Sequence, residues 1–186
     1  ATLRPFAQLN SLAQTLLKLT TPGIPDFYQG TELWDFSLVD PDNRRPVDYA
    51  LRRRLLKAVK GAGVEEIVKR AEEGLPKLWV IHRALAVRRA HPELFGPEAA
   101  YQPLTAQGSR AGHVVAFMRA QGAITAVPRL VAGLASRWED TELRIPPGRW
   151  RNEMDGNLVD GGAIRLSRLT AKFPVCLLVR QEGHSR

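Results

Sequence analysis

Near Gly96 the spacing of apolar residues changes from one period to another, and no single regular architecture accommodates both halves of the chain. Before that point Leu9, Leu12, Ala13, Leu16, Leu17 and Leu19 recur at three and four, as on the buried stripe of an amphipathic helix spanning 6–20. Tyr49, Leu51, Leu55, Leu56 and Val59 repeat the pattern and predict a helix over 47–60, with Arg52, Arg53 and Arg54 outward and the Gly-Ala-Gly triplet at 61–63 as its stop. A short helix is expected at 64–73 and another at 77–90, ended by Pro92. After Gly96 come short alternating runs that predict strands at 101–104, 113–118, 123–127, 142–145, 150–154, 163–166 and 175–179. Turn signals separate them, among them Pro146-Pro147-Gly148 and Gly161-Gly162. The chain therefore divides near Pro97 into a helical region, 1–96, and a small antiparallel, β-sandwich-like domain, 97–186.

Residues 24–28, IPDFY, form a short apolar run between turn residues, which predicts a buried strand. Pro25 has no N–H to give a ladder, so it belongs at the strand's first residues. Helix, turn and parallel-type strand make half of a βαβ unit. The following stretch, 31–46, lacks a period and is long for a connection, a length usually kept for function or insertion. In α/β barrels the active site lies on the loops that follow the strands' C-terminal ends. This loop and the turn before it offer Gln29, Glu32, Asp35, Asp40, Asp42, Asn43, Arg44 and Arg45, interleaved with Tyr28, Trp34 and Phe36. Carboxylates and guanidinium groups form directed hydrogen bonds to vicinal hydroxyls, and aromatic faces stack on sugar rings. A blander reading stands beside this one: Asp40-Pro41-Asp42-Asn43 is also an ordinary turn sequence, and Trp34 with Phe36 would equally cover a barrel end.

The segment TTPGIPDFYQGTELWDFSLVDPDNRRPVDY (20–49), with NSLAQTLLKLT (10–20) before it, resembles the end of the catalytic barrel in maltooligosyl trehalose synthases, a branch of the α-amylase superfamily. The stretch LWVIHRALAVRRAHPELF (78–95) resembles the last barrel helix, and the chain from Tyr101 onwards resembles the C-terminal β domain, although Met154-Asp155-Gly156 departs from the Leu-Thr-Gly expected there. The resemblance implies the last helix-strand-helix part of a (β/α)8 TIM barrel followed by an antiparallel domain. It further implies an enzyme that changes the reducing-end α-1,4 bond of a maltooligosaccharide to an α,α-1,1 bond by intramolecular transglucosylation. In such retaining chemistry one carboxylate attacks the anomeric carbon and a second protonates the leaving oxygen, the two about 5 Å apart. The superfamily carries these carboxylates on earlier barrel strands, so no catalytic role is transferred to any residue here. What carries over is a sugar-binding rim at Tyr28, Gln29, Glu32, Trp34, Asp35, Asp42, Asn43, Arg44 and Arg45, with a maltooligosaccharide and the upstream barrel as partners.

The length agrees with a part of such a barrel, since 186 residues fall short of the ~250 a complete one needs. No stretch reaches the ~18–20 apolar residues of a membrane span, and no secretory signal is read. The lone Cys176, flanked by Val175, Leu177 and Leu178, fits an inert core thiol and a cytoplasmic protein. A net charge of +8 raises nucleic acid as a partner, but the basic residues are spread among acids as on solvated helix faces, so none is expected. The four histidines have no metal-ligand spacing, and neither a phosphate loop nor a GxSxG nucleophile is present, so neither metal nor cofactor is expected. The competing functions are another α-amylase-superfamily hydrolase and a non-catalytic carbohydrate-binding module.

Overall fold

A computed structural model describes residues 3–37, 45–134 and 137–181. Helix α1 (Arg4–Thr20) begins with Pro5 in its first turn and buries Leu12, Ala13, Leu16 and Leu19, the stripe its spacing dictates. Its last carbonyls are unusually well served. Thr21 N–H and Oγ1 donate to Leu17, Arg88 donates to Leu19 at 2.9 Å, and Arg119 donates to Thr20 at 3.2 Å. Guanidinium groups there also oppose the negative end of the helix dipole.

Helix α2 (Tyr49–Gly61) is capped by the Asp48 side chain, which accepts from Leu51 N–H at 2.8 Å. Helix α3 (Val64–Lys69) is shorter than expected and passes into a 3₁₀ turn at Ala71–Glu73. Gly74 then reverses the chain at φ +84, where a Cβ would lie 3.0 Å from Leu33. Helix α4 (Leu75–Ala90) follows and packs its Leu78, Ile81 and Ala84 face among the other helices.

The seven strands β1 (Tyr101–Leu104), β2 (Ala106–Gln107), β3 (Val114–Arg119), β4 (Ala123–Pro128), β5 (Glu142–Asn152), β6 (Leu158–Arg165) and β7 (Cys176–Arg180) join in a single curled sheet. Its order is β1-β3-β4-β7-β5-β2, β6 pairs β5, and every pairing is antiparallel. Short helices α5 (Val131–Leu134) and α6 (Leu166–Leu169), which no periodicity announced, lie between strands.

The two expected strands at 142–145 and 150–154 are one. Pro146-Pro147-Gly148 is no turn but an irregularity within β5, where the register to β6 shifts between Ile145 and Arg149. Prolines are tolerated at such a place because no ladder N–H is required of them. Opposite them sits Gly161, where a Cβ would fall 2.1 Å from the Pro146 carbonyl oxygen. The freed Pro146 carbonyl accepts the indole N–H of fully buried Trp150 at 3.1 Å.

Alternation along the central strands separates two cores. Ala123 and Val127 of β4, with Leu177 and Val179 of β7, face the helices, while Ile124, Ala126, Cys176 and Leu178 face Trp150 and Leu143 on the other side. Helix α1 thus packs directly on the sheet, and α4 reaches the turn that follows β5. Trp79 Nε1–H donates to the Met154 carbonyl at 2.9 Å, and Arg83 pairs with Glu153 and bonds its carbonyl at 2.8 Å.

The buried strand expected at 24–28 is not formed. Those residues are extended without a ladder, and Ile24 is 96% exposed. All described ladders lie beyond residue 100, so among the described residues no strand pairs with this segment. Phe27 alone packs inward, with Lys18 Nζ 4.7 Å from its ring centre.

Candidate functional site

The rim begins where the extended segment turns. Thr31 N–H donates to the Tyr28 carbonyl at 3.1 Å and the Thr31 hydroxyl donates to the same oxygen at 2.7 Å, leaving Tyr28 and Gln29 on the surface. Helix α2 holds this turn from the side. Arg52 Nε–H donates to Glu32 Oε2 at 2.9 Å, one Nη donates to the Gly30 carbonyl at 2.5 Å and the other to the Asp48 carbonyl at 3.2 Å. The Tyr49 hydroxyl donates to Gln29 Oε1 at 2.9 Å.

Arg52 therefore does not point outward with its neighbours, as the helix pattern suggested, but turns inward to a half-buried acid. The signal was present in its position one turn after the Asp48 cap, facing a loop with an otherwise unmatched carboxylate. Tyr49 and Lys77 are further residues that sequence reasoning did not assign to the site.

Trp34 is anchored rather than free. Its indole N–H donates to the Ala71 carbonyl at 2.5 Å, so the ring packs against the helical core, and it presents Phe36 in a stack at 6.2 Å and 13°. Phe36 is 45% exposed and offers the open aromatic face. Asp35 Oδ1 accepts from both the hydroxyl and the N–H of Ser37, at 2.5 and 2.9 Å. These bonds, with the charges of Lys77 and Arg45, hold its carboxyl below the ordinary range, so Asp35 is anionic at neutral pH and unsuited to give a proton.

Glu32 is occupied by Arg52 and Asp35 by Ser37, and both serve as anchors or acceptors. Asp42, Asn43 and Arg44 lie outside the described residues. Between the turn, α1 and the start of α4 opens a polar cleft of about 240 Å³. Among the described residues no cluster of His, Cys, Asp or Glu has the makings of a metal site, and no helix is long and apolar enough to cross a membrane. The assembled surface can accept and donate hydrogen bonds beside an aromatic face, which is the chemistry of a sugar rim.

No family model matches the chain. Over 184 residues it is 45% identical to a putative maltooligosyl trehalose synthase of Mycobacterium tuberculosis, a match covering 98% of this chain and 22% of that protein. The solved maltooligosyltrehalose synthase of Arthrobacter ramosus superposes with a TM-score of 0.81 at 45% identity, over 94% of this chain and 22% of that one. A hypothetical maltooligosyl trehalose synthase of Sulfolobus tokodaii gives 0.66 at 27%, over 93% and 20%. The chain thus spans about a fifth of the length of the relatives it matches, and corresponds to a C-terminal portion of maltooligosyl trehalose synthases.

Proposed function

We propose that this chain is the part of a maltooligosyl trehalose synthase that completes the catalytic barrel and lines its sugar site. In that reading residues 1–96 supply the last helix-strand-helix of a (β/α)8 barrel, and 97–186 supply the appended β domain that buttresses it. The unpaired extended segment at 24–28 is the barrel's last strand, whose ladder partners belong to the upstream region. The observation that carries the reading is 45% identity over 98% of the chain to proteins bearing that name.

The chemistry follows from the division of labour. Upstream carboxylates cleave the terminal α-1,4 bond and form a glycosyl-enzyme, and the released glucose turns over and attacks before water does. That outcome requires a site that holds the freed unit and sheds solvent. Tyr28, Gln29, Glu32 and Asp35, with Arg45 and residues 42–44, supply the polar contacts, Trp34 and Phe36 the aromatic wall, and Arg52 fixes the turn that presents them. The enzyme is cytoplasmic, needs no cofactor, and binds neither nucleic acid nor membrane. Its reaction is an isomerisation, a glucosylmutase step, in trehalose formation.

The test is product analysis of the parent polypeptide on maltopentaose. Loss of reducing ends with little free glucose is expected. A rise in reducing ends would replace this reading with a superfamily hydrolase, and binding without turnover would replace it with a carbohydrate-binding module.

A further inference from the structure

The polar cleft beneath the Tyr28 turn contains two polar side chains that the chain itself leaves unserved. Lys77, in the first turn of α4, is 8% exposed, and Thr15 of α1 is 4% exposed. Both line the cleft, and among the described residues neither Lys77 Nζ nor Thr15 Oγ1 has a hydrogen-bond partner. Neither atom is sealed from water: among the described residues the enclosed, unpartnered side-chain atoms are Gln8 Nε2 and Arg119 Nε, so the Lys77 ammonium and the Thr15 hydroxyl open into the cleft as unused donors.

The nearby acids do not relieve it. Asp35 is bonded to Ser37 and Glu32 to Arg52, and they act on Lys77 only through their charge. The other polar lining is mainly donors, with Lys18, Ser11 and the Gln14 amide, and its one acid is the exposed Asp26, which makes no ion pair with Lys77. A neutral acceptor closing the cleft would leave the ammonium's charge uncompensated once water is displaced, whereas a carboxylate answers both the charge and the donors. Burial meanwhile pulls the Lys77 ammonium below the usual lysine range, the shift that an incoming carboxylate would reverse.

We propose that this cleft receives the carboxylate of an Asp or Glu side chain from a segment of the parent polypeptide outside these 186 residues, with Lys77 as its ion-pair partner and Thr15 as a second donor. The proposal rests on the reading above, in which about four-fifths of the relatives' length lies elsewhere and packs against this face. It makes Lys77 a positioning residue, since the pair locks the base of the rim turn to the upstream barrel.

The test uses the full parent polypeptide. A water-soluble carbodiimide, which joins a carboxylate and an amine in direct contact without a spacer, is applied and the peptides are read by mass spectrometry. An amide between Lys77 Nζ and an acidic residue upstream of this region is expected. Replacing Lys77 by Met should lower the parent's Tm by several degrees, while the same change at exposed Lys57 should not. The idea is overturned by a cross-link from Lys77 to Asp26, Asp35 or Glu32. It is also overturned if no upstream cross-link forms and K77M leaves Tm unchanged. Formation of the amide only with added succinate, again with unchanged Tm for K77M, would likewise sink it and point to a free-acid site. Failure of the parent to rearrange maltopentaose would remove the proposed function, yet an upstream cross-link would still stand.

Discussion

Arg119 is 1% exposed, and its guanidinium donates to the carbonyls of Thr20, Gly96 and Ala99 at 3.2, 3.3 and 3.2 Å. One side chain thus closes the end of α1 and fixes the connection into the sheet. Replacing it by Met removes donors from one enclosed carbonyl, Thr20, and two partly buried ones, and a loss of about 3 kcal/mol is expected in urea unfolding, given roughly 1–3 kcal/mol for each buried group left unmet. An unchanged midpoint would show that water serves those oxygens. At the rim, Ser37 is the first cause of the depressed Asp35 pKa, so S37A should raise it. A carboxyl whose folded pKa lies below its unfolded value contributes stability above about pH 4, lost as pH falls through the folded pKa. Wild type and S37A should therefore differ slightly at pH 7, and the gap should narrow as pH falls below about 4. A gap independent of pH across that fall would assign the effect to Ser37 alone. Such partnerships are faint in sequence: Arg52 stands one turn after the Asp48 cap, yet it reads as one of three similar surface arginines until Glu32 is seen opposite it.

The long helices were legible because a stripe such as Leu12, Leu16 and Leu19 has one period and one face to bury. Their packing makes a clear prediction. Leu16 is fully buried between α4 and the sheet, and L16A should cost about 2–5 kcal/mol, with the spread depending on how far the site collapses. A loss under about 1 kcal/mol in thermal or urea denaturation would contradict the shared core, on the same scale. Strands β3, β4 and β7 were similarly readable from alternation. The fused β5 was not, since Pro146-Pro147-Gly148 is locally a turn signal and only the glycine at 161 on the neighbouring strand lets the chain run on. The segment at 24–28 has the composition of a buried strand, but a strand needs a neighbour, and ladder partners are a tertiary fact that local composition does not contain.

At the scale of the whole molecule, the surface at Ile24, Tyr28 and Phe36 exposes apolar side chains beside an unpaired backbone. Such an edge invites pairing with another copy. The isolated chain should self-associate in light scattering behind size exclusion, and I24S should shift it towards monomer. A monodisperse 20.7 kDa wild type would count against the edge as sticky. Legibility ends here too, because the site is shared with sequence that lies elsewhere, and residues 28–36 show a rim but not what it surrounds. The bond from Arg119 to Thr20 spans 99 residues and joins α1 to β3, the strand beside the sheet's β1 edge. During synthesis at about 5–20 residues per second, α1 therefore emerges roughly 5–20 s before the strand that closes its end and completes its cover exists. Through that interval its leucine stripe is open to chaperones, which makes the first helix, rather than the rim, the place where a nascent chain of this kind is most exposed to capture.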